Sequence, residues 1–149
     1  MVTKDKLKKE LGISIRDDIR TDSVILAFNS EEDAENWIFL GRPKDKDKKF
    51  PVPRIIVESI DQSREDYSAG GKKEINLSYL FHAWLDQDIA SAYDPYEVED
   101  RLAKIGEELE DLDNGIKNSE VVSSSSDPEV EDNRTLIHTV VRVAVVWRE

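Results

Sequence analysis

Two histidines, His82 and His138, and no cysteine make up the chain's stock of side chains for chemistry near neutral pH. Imidazole exchanges protons in that range and is the commonest metal ligand. Neither histidine, however, has another His, a Cys or a carboxylate pair at metal-ligand spacing, so each is read as a packed or surface polar group. Without cysteine there is no thiol nucleophile, disulfide or cysteine zinc site, in keeping with a reducing cytoplasm. No Gly-x-Ser-x-Gly turn presents a serine nucleophile. Gly70-Gly71 stands alone, with no glycine-rich phosphate-binding loop around it. A metal-dependent nuclease wants strand carboxylates followed by a lysine. Glu58, Lys73 and Glu74 offer the residue types, but in the wrong order and spacing. No catalytic residue, cofactor or metal is therefore expected.

Composition narrows the partners. The 149 residues carry a formal net charge of −12, with a pI near 4.7, which opposes a phosphate-binding groove. Trp37, Trp84 and Trp147 are accordingly read as core or interface anchors and not as platforms for bases. An acidic surface also fits salt adaptation, although twelve lysines remain. No apolar run approaches the ~20 residues of a membrane span, and the first residues lack the apolar stretch of a signal peptide. No membrane partner is expected, and the chain is expected to stay in the compartment that makes it.

The elements that must position these residues are mostly legible as periods. Residues 134–149 alternate, with Ile137, Val141, Val143, Val145 and Trp147 on one side of an extended strand. Glu74 to Asp86 does the same with Ile75, Leu77, Tyr79, Phe81, Ala83 and Leu85. At ~3.3 Å per residue each run reaches roughly 40 Å, longer than most strands, so each must bulge or overhang its domain and find a partner. Asp94 as N-cap and Pro95 at the first position start a helix whose stripe is Val98, Leu102, Ile105, Leu109 and Leu112. Its acidic end, Glu107, Glu108, Glu110, Asp111 and Asp113, opposes the macrodipole and calls for some offset.

Residues 1–49 read as an N-terminal helical region. Leu7, Leu11, Ile15 and Ile19 predict a helix from Thr3 to about Arg20, weakened at Gly12. Ser23 to Phe28 reads as a short buried strand, and Glu31 to Leu40 as a short helix started by Ser30 and stopped by Gly41. Residues 42–49 are an exposed charged loop. Pro53 leads into a strand at Arg54–Ile60, and Asp61 to Lys73 is a long hairpin loop. Residues 116–133, with Ser123 to Ser126 and Asp127-Pro128, read as a polar linker after the Asn114-Gly115 cap. The whole is a single α+β domain, a mainly antiparallel β-sheet with helices packed on one face.

This order of elements resembles the tail-terminator and head–tail-joining proteins of long-tailed bacteriophages and related tailed viruses. The matching residues are Phe50-Pro51 before Pro53 to Val57, then Ile75 to Leu85, Asp94 to Leu112 and Thr135 to Trp147, about two thirds of the chain. The fifty or so residues before Phe50-Pro51 depart from that pattern. The resemblance implies a structural virion protein, assembled in the host cytoplasm, that forms a homo-oligomeric ring of six subunits. The ring would cap the tail tube protein and join the head–tail connector, with DNA passing through an acidic lumen without specific binding. Arg64, Lys72, Lys73, Trp84 and Trp147 are the residues expected at subunit or partner interfaces. A small cytoplasmic binding module acting through an exposed strand edge is the alternative, with the nuclease behind it.

Overall fold

The computed structural model of the chain describes residues 3–41, 51–60, 64–67, 71–86 and 94–149. Helix α1 (Lys4–Ile19) is capped by Thr3, whose hydroxyl accepts from the Lys6 N–H at 3.2 Å, and buries Leu7, Leu11, Ile15 and Ile19. It runs unbroken through Gly12. A methyl group there would come within 3.0 Å of the Leu40 side chain, so this glycine lets the helix lie close to the sheet.

Two short expectations between α1 and the sheet are overturned. Ser23–Leu26 is a helical turn, α2, continued by a 3-10 turn at Ala27–Asn29, and not a strand. The deciding group is Asp22, whose Oδ1 accepts from the Val24 and Ile25 N–H groups at 3.1 and 3.0 Å. A brief apolar run cannot distinguish strand from helix by period, whereas such a cap can. The expected helix at Glu31–Leu40 shrinks to a 3-10 turn, Ala34–Asn36, and then strand β1, Ile38–Leu40. Pairing with a neighbouring strand outweighs local helical spacing here.

That neighbour is β2 (Arg54–Ser59), parallel to β1 with Ile38 opposite Ile55. It is followed by β3 (Arg64–Tyr67) and β4 (Lys73–Asp86). Part of the expected loop Asp61–Lys73 is thus strand, with Arg64 opposite Asn76, while residues 61–63 and 68–70 lie outside the described residues. So does the expected loop at 42–49. Helix α3 (Pro95–Glu107) starts on the Asp94 cap as expected, with the carboxylate accepting from the Tyr96 N–H at 2.9 Å. It ends sooner than its stripe, which a 3-10 turn at Leu109–Leu112 completes.

The largest correction concerns residues 116–133. They form β5 (Ile116–Glu131), antiparallel to β6 (Arg134–Arg148) along its length. Asp132 and Asn133 turn the chain between them with φ of 50° and 63°. Both residue types tolerate that left-handed backbone, and two such residues in sequence match the twist of a hairpin. The segment is polar because most of its side chains meet solvent. Beyond Val121, backbone pairing holds it, not burial.

The six strands among the described residues form one sheet in the order β1-β2-β4-β6-β5, with β3 also on β4. All pairs but β1–β2 are antiparallel, so the α+β class and the mainly antiparallel sheet hold. Strands β4 and β6 do not overhang, since they pair with each other from Glu74 opposite Arg148 to Asp86 opposite Leu136. Length is absorbed in β5 by register shifts at Ile116/Asn118 and Val121/Ser123.

Helices α1 and α3 cover one face. There Ile75, Leu77, Tyr79, Phe81, Ala83 and Leu85 of β4 meet Val141, Val143, Val145 and Trp147 of β6 in the main core. The Tyr79 hydroxyl donates to the Lys8 carbonyl at 2.7 Å, and burial pushes its phenol pKa up. The acidic end of α3 finds uses: Glu107 accepts from the Val121 N–H at 3.1 Å, and Asp113 from the Gly115 N–H at 2.7 Å.

Candidate functional site

The alternation that points the odd positions of β4 and β6 at the helices turns the even ones to the opposite, open face. On that face Ile56, Trp84 and Leu136 form a second, smaller apolar cluster, with Phe39 and Val52 against it. Beside the cluster lie both histidines. Register explains their meeting, because Trp84 stands opposite His138 and His82 opposite Val140, which sets the two imidazoles diagonally on adjacent strands.

A chain of contacts crosses four strands at this point. Glu58 Oε2 of β2 is 3.2 Å from His82 Nε2, His82 Nδ1 is 3.1 Å from His138 Nε2, and His138 Nδ1 is 2.7 Å from Glu129 Oε2 of β5. Trp84 lies face to face with His138, the ring centres 4.4 Å apart and the planes within 12°. The Arg54 guanidinium sits 4.3 Å from the Trp84 ring centre and pairs with Glu131 at 3.1 Å, a cation over an aromatic face. Chemically the arrangement can hold and pass a proton. Its members carry no hydroxyl or thiol, and no cluster of three or more His, Cys, Asp or Glu among the described residues is disposed to hold a metal ion.

Beyond this network runs the outer edge of β5, the last strand of the sheet. Pro128 sits opposite Ile137 in continuous register. Having no N–H, it belongs among the residues whose backbone points away from β6. Alternation turns the backbone groups of Ser124, Ser126 and Val130 the same way. Among the described residues, nothing pairs with that edge from 122 to 131. Val122 and Val130 stand 55% and 76% exposed beside it. Side chains tie the strand inward: the Ser126 hydroxyl donates to Glu99 at 2.9 Å and lies 2.7 Å from that of Thr139.

A third feature is a cavity of about 320 Å³ between the end of α1 and α3, lined by Asp18, Asp22, Arg101, Glu108 and Asp111. The Arg101 guanidinium bonds the Asp22 carboxylate, its Nε at 3.0 Å. Burial pushes the Asp22 carboxyl up, but that bond and those from the Ile25 and Val24 N–H groups outweigh it and hold the carboxyl below its usual range. Asp18 has no such counterweight. Burial raises its carboxyl, and Asp22, Glu108 and Asp111 add to the shift.

Of the residues expected at interfaces, Arg64, Lys72, Lys73 and Trp147 fall at one end of the sheet, around the start of β4, while Trp84 lies towards the other end. Arg64 is placed by backbone pairing with Asn76, and its side chain lies outside the described residues. Lys72 is exposed just before β4, while Lys73 is buried and its carbonyl accepts from the Glu149 N–H. Trp147 is in the main core on the helix face, and Trp84, 7% exposed, is in the small cluster on the other face, towards the opposite end of β4. Both tryptophans anchor their own chain.

Of the positions weighed for a nuclease, Glu58 stands apart from Lys73 and Glu74. Glu58 lies across from Leu80, roughly 20 Å along β4 from Lys73 and Glu74 at ~3.3 Å per residue. Glu74 there bonds Arg148 at 2.6 Å. The histidine pair escaped sequence reading because register, not spacing, creates it. The Asp132-Asn133 turn signals only the β5–β6 register, which brings Glu129 to His138, and not the β4–β6 register that pairs the histidines. No described helix is long and apolar enough to cross a membrane. No protein-family model matches the chain, and no curated protein matches it in sequence.

Proposed function

We propose that the chain is a structural subunit that assembles through the β5 border, as the tail-terminator resemblance implies: a ring that caps a viral tail tube and joins it to the head connector. The observation supporting this reading is the outer edge of residues 122–131, a row of backbone donors and acceptors at the margin of the sheet. Such an edge is a template for a strand from another chain, and natural proteins blunt it where no partner is wanted. Here Pro128 and the bulge at Val121/Ser123 interrupt it, and Asp127, Glu129 and Glu131 add charge along it. A second copy meeting this border with a different surface makes a heterologous contact, which closes into a ring when the rotation divides a full turn.

Light scattering over a range of concentrations, with electron microscopy of the same samples, tests the reading. Rings of about six subunits with an open centre are expected. Ser124→Pro removes one outward N–H without touching the β6 ladder, so this variant folds but yields smaller species. A wild-type chain that stays monomeric at every concentration, even with tail tube protein added, overturns the ring. If that monomer instead captures an extended peptide along β5, the binding-module alternative replaces it.

A further inference from the structure

We propose that Glu58, His82, His138 and Glu129 form a proton-dependent brace that fastens the border strand to the sheet, complete only while the two imidazoles share three ring protons. The inference rests on geometry and proton counting, and it stands whether or not β5 serves assembly. The imidazole centres are 5.3 Å apart, the planes differ by 21°, and the facing nitrogens are separated by 3.1 Å. The separation of the centres is close to that of the facing nitrogens plus one ring radius at either end. The rings therefore meet nearly end to end, with the facing nitrogens on the line between them, and one N–H bridges that gap.

Each outer nitrogen faces a carboxylate, which only accepts. Glu58 and Glu129 thus each require an N–H from their histidine, at 3.2 and 2.7 Å. The inner contact requires one more. Two neutral imidazoles carry two such protons, so the fully bonded chain holds one proton more and one positive charge between two carboxylates. Trp84, parallel to both rings, presents the electron-rich face that suits an imidazolium.

Loss of the third proton leaves one of the three links without a hydrogen. Gain of a fourth puts an N–H on both inner nitrogens, aimed at each other across 3.1 Å, and parts the rings. The brace thus weakens on both sides of an intermediate pH, in the range where histidine titrates. The other charges on this face come from every strand involved: Arg54 from β2, Asp86 from β4, Arg134 and Arg142 from β6, and Asp127 and Glu131 from β5, with Glu120 and the bonded pair Glu74 and Arg148 farther along the strands. Arg54 is engaged by Glu131, and Arg134 reaches Asp86 at 3.6 Å. Because one end of the brace is on β5 and the other on β2, a proton gained or lost between them alters how firmly the border is held.

Imidazole NMR spectra and amide hydrogen-exchange protection factors of residues 123–131, followed from about pH 4 to about pH 9, test this. Both rings are expected to report the same proton steps, because a proton held between the facing nitrogens is felt by both. Protection of β5 should peak between those steps and fall by up to about tenfold on either side, the size of one hydrogen-bonded link. His138→Gln should flatten the profile. Glu129→Gln, at a half-exposed position where folding is not at risk, keeps an acceptor without the charge and should move the alkaline fall-off to lower pH. Histidines that titrate independently in the wild type, or a β5 profile unchanged in Glu129→Gln, overturn the brace.

Discussion

Strands β4 and β5 are close in length, at 14 and 16 residues, yet different forces hold them. Strand β4 is enclosed, with β2 and β3 along one edge, β6 along the other and the helices over its odd positions. Strand β5 has one neighbour among the described residues, and beyond Val121 almost all of its side chains are exposed. The first strand is fixed by apolar area removed from water, the second by a backbone ladder, a turn and a few polar ties. A strand can thus be long and regular without any hydrophobic pattern, provided its neighbour supplies one.

The sharpest test compares side-chain truncations in the two. Phe81 is fully buried at the centre of β4, so Phe81→Ala should cost ~3–5 kcal/mol in urea unfolding. Ser125→Ala at an exposed position of β5 should stay within ~0.5 kcal/mol. Comparable losses at the two sites would mean that β5 is covered by something, such as another subunit.

The second test divides β5 itself. Its start is packed: Ile116 is buried, and a methyl group on Gly115 just before it would fall 2.0 Å from Trp147 Nε1. Neither backbone nor indole can give way that far without moving the end of β6, so Gly115→Ala should cost ~1–3 kcal/mol. A shift of the Trp147 indole resonance should accompany it. A neutral result would make the start of β5 as loosely held as its far end.

This division also shows what the residues disclosed in advance. Strands β4 and β6 and helix α3 were legible because burial imposes a period, two in a strand and three to four in a helix, on which side chains must be apolar. Strand β5 was not, since Ser123 to Ser126 answer to hydrogen bonding, which leaves no period in polarity. Ser23–Leu26 and Ile38–Leu40 are too short to show a period, so their state is decided by the Asp22 cap and by pairing with β2. The histidine pair depends on which residue of β6 stands opposite which residue of β4, information carried by the whole sheet.

A smaller effect addresses the turn. Asn133 has φ of 63°, where a Cβ without a local polar partner costs about 1 kcal/mol, so Asn133→Ala should weaken the hairpin by that order and Asn133→Gly should not. Hydrogen exchange at 126–131 should rise more than the global unfolding free energy falls. Equal changes in both would show that the far half of β5 opens only with the whole domain.

The smallest effect lies in the helical layer and serves as the converse control. Burial and the nearby carboxylates of Asp22, Glu108 and Asp111 raise the Asp18 carboxyl above its ordinary value of 3.8. The folded state therefore binds this proton more tightly than the unfolded state. Stability from this group falls as pH rises from the ordinary value through the raised one, and the cost of the ionised form is complete above that. Asp18→Asn removes the charge and should raise global stability at neutral pH by up to ~0.5 kcal/mol, solvent screening limiting the effect at a partly exposed site. The gain should shrink as pH falls through the raised value and vanish below the ordinary carboxylate range. Protection of 126–131 should be unmoved at every pH, because local opening of the border leaves the helices packed; a parallel gain there would tie β5 to the same cooperative unit as β4.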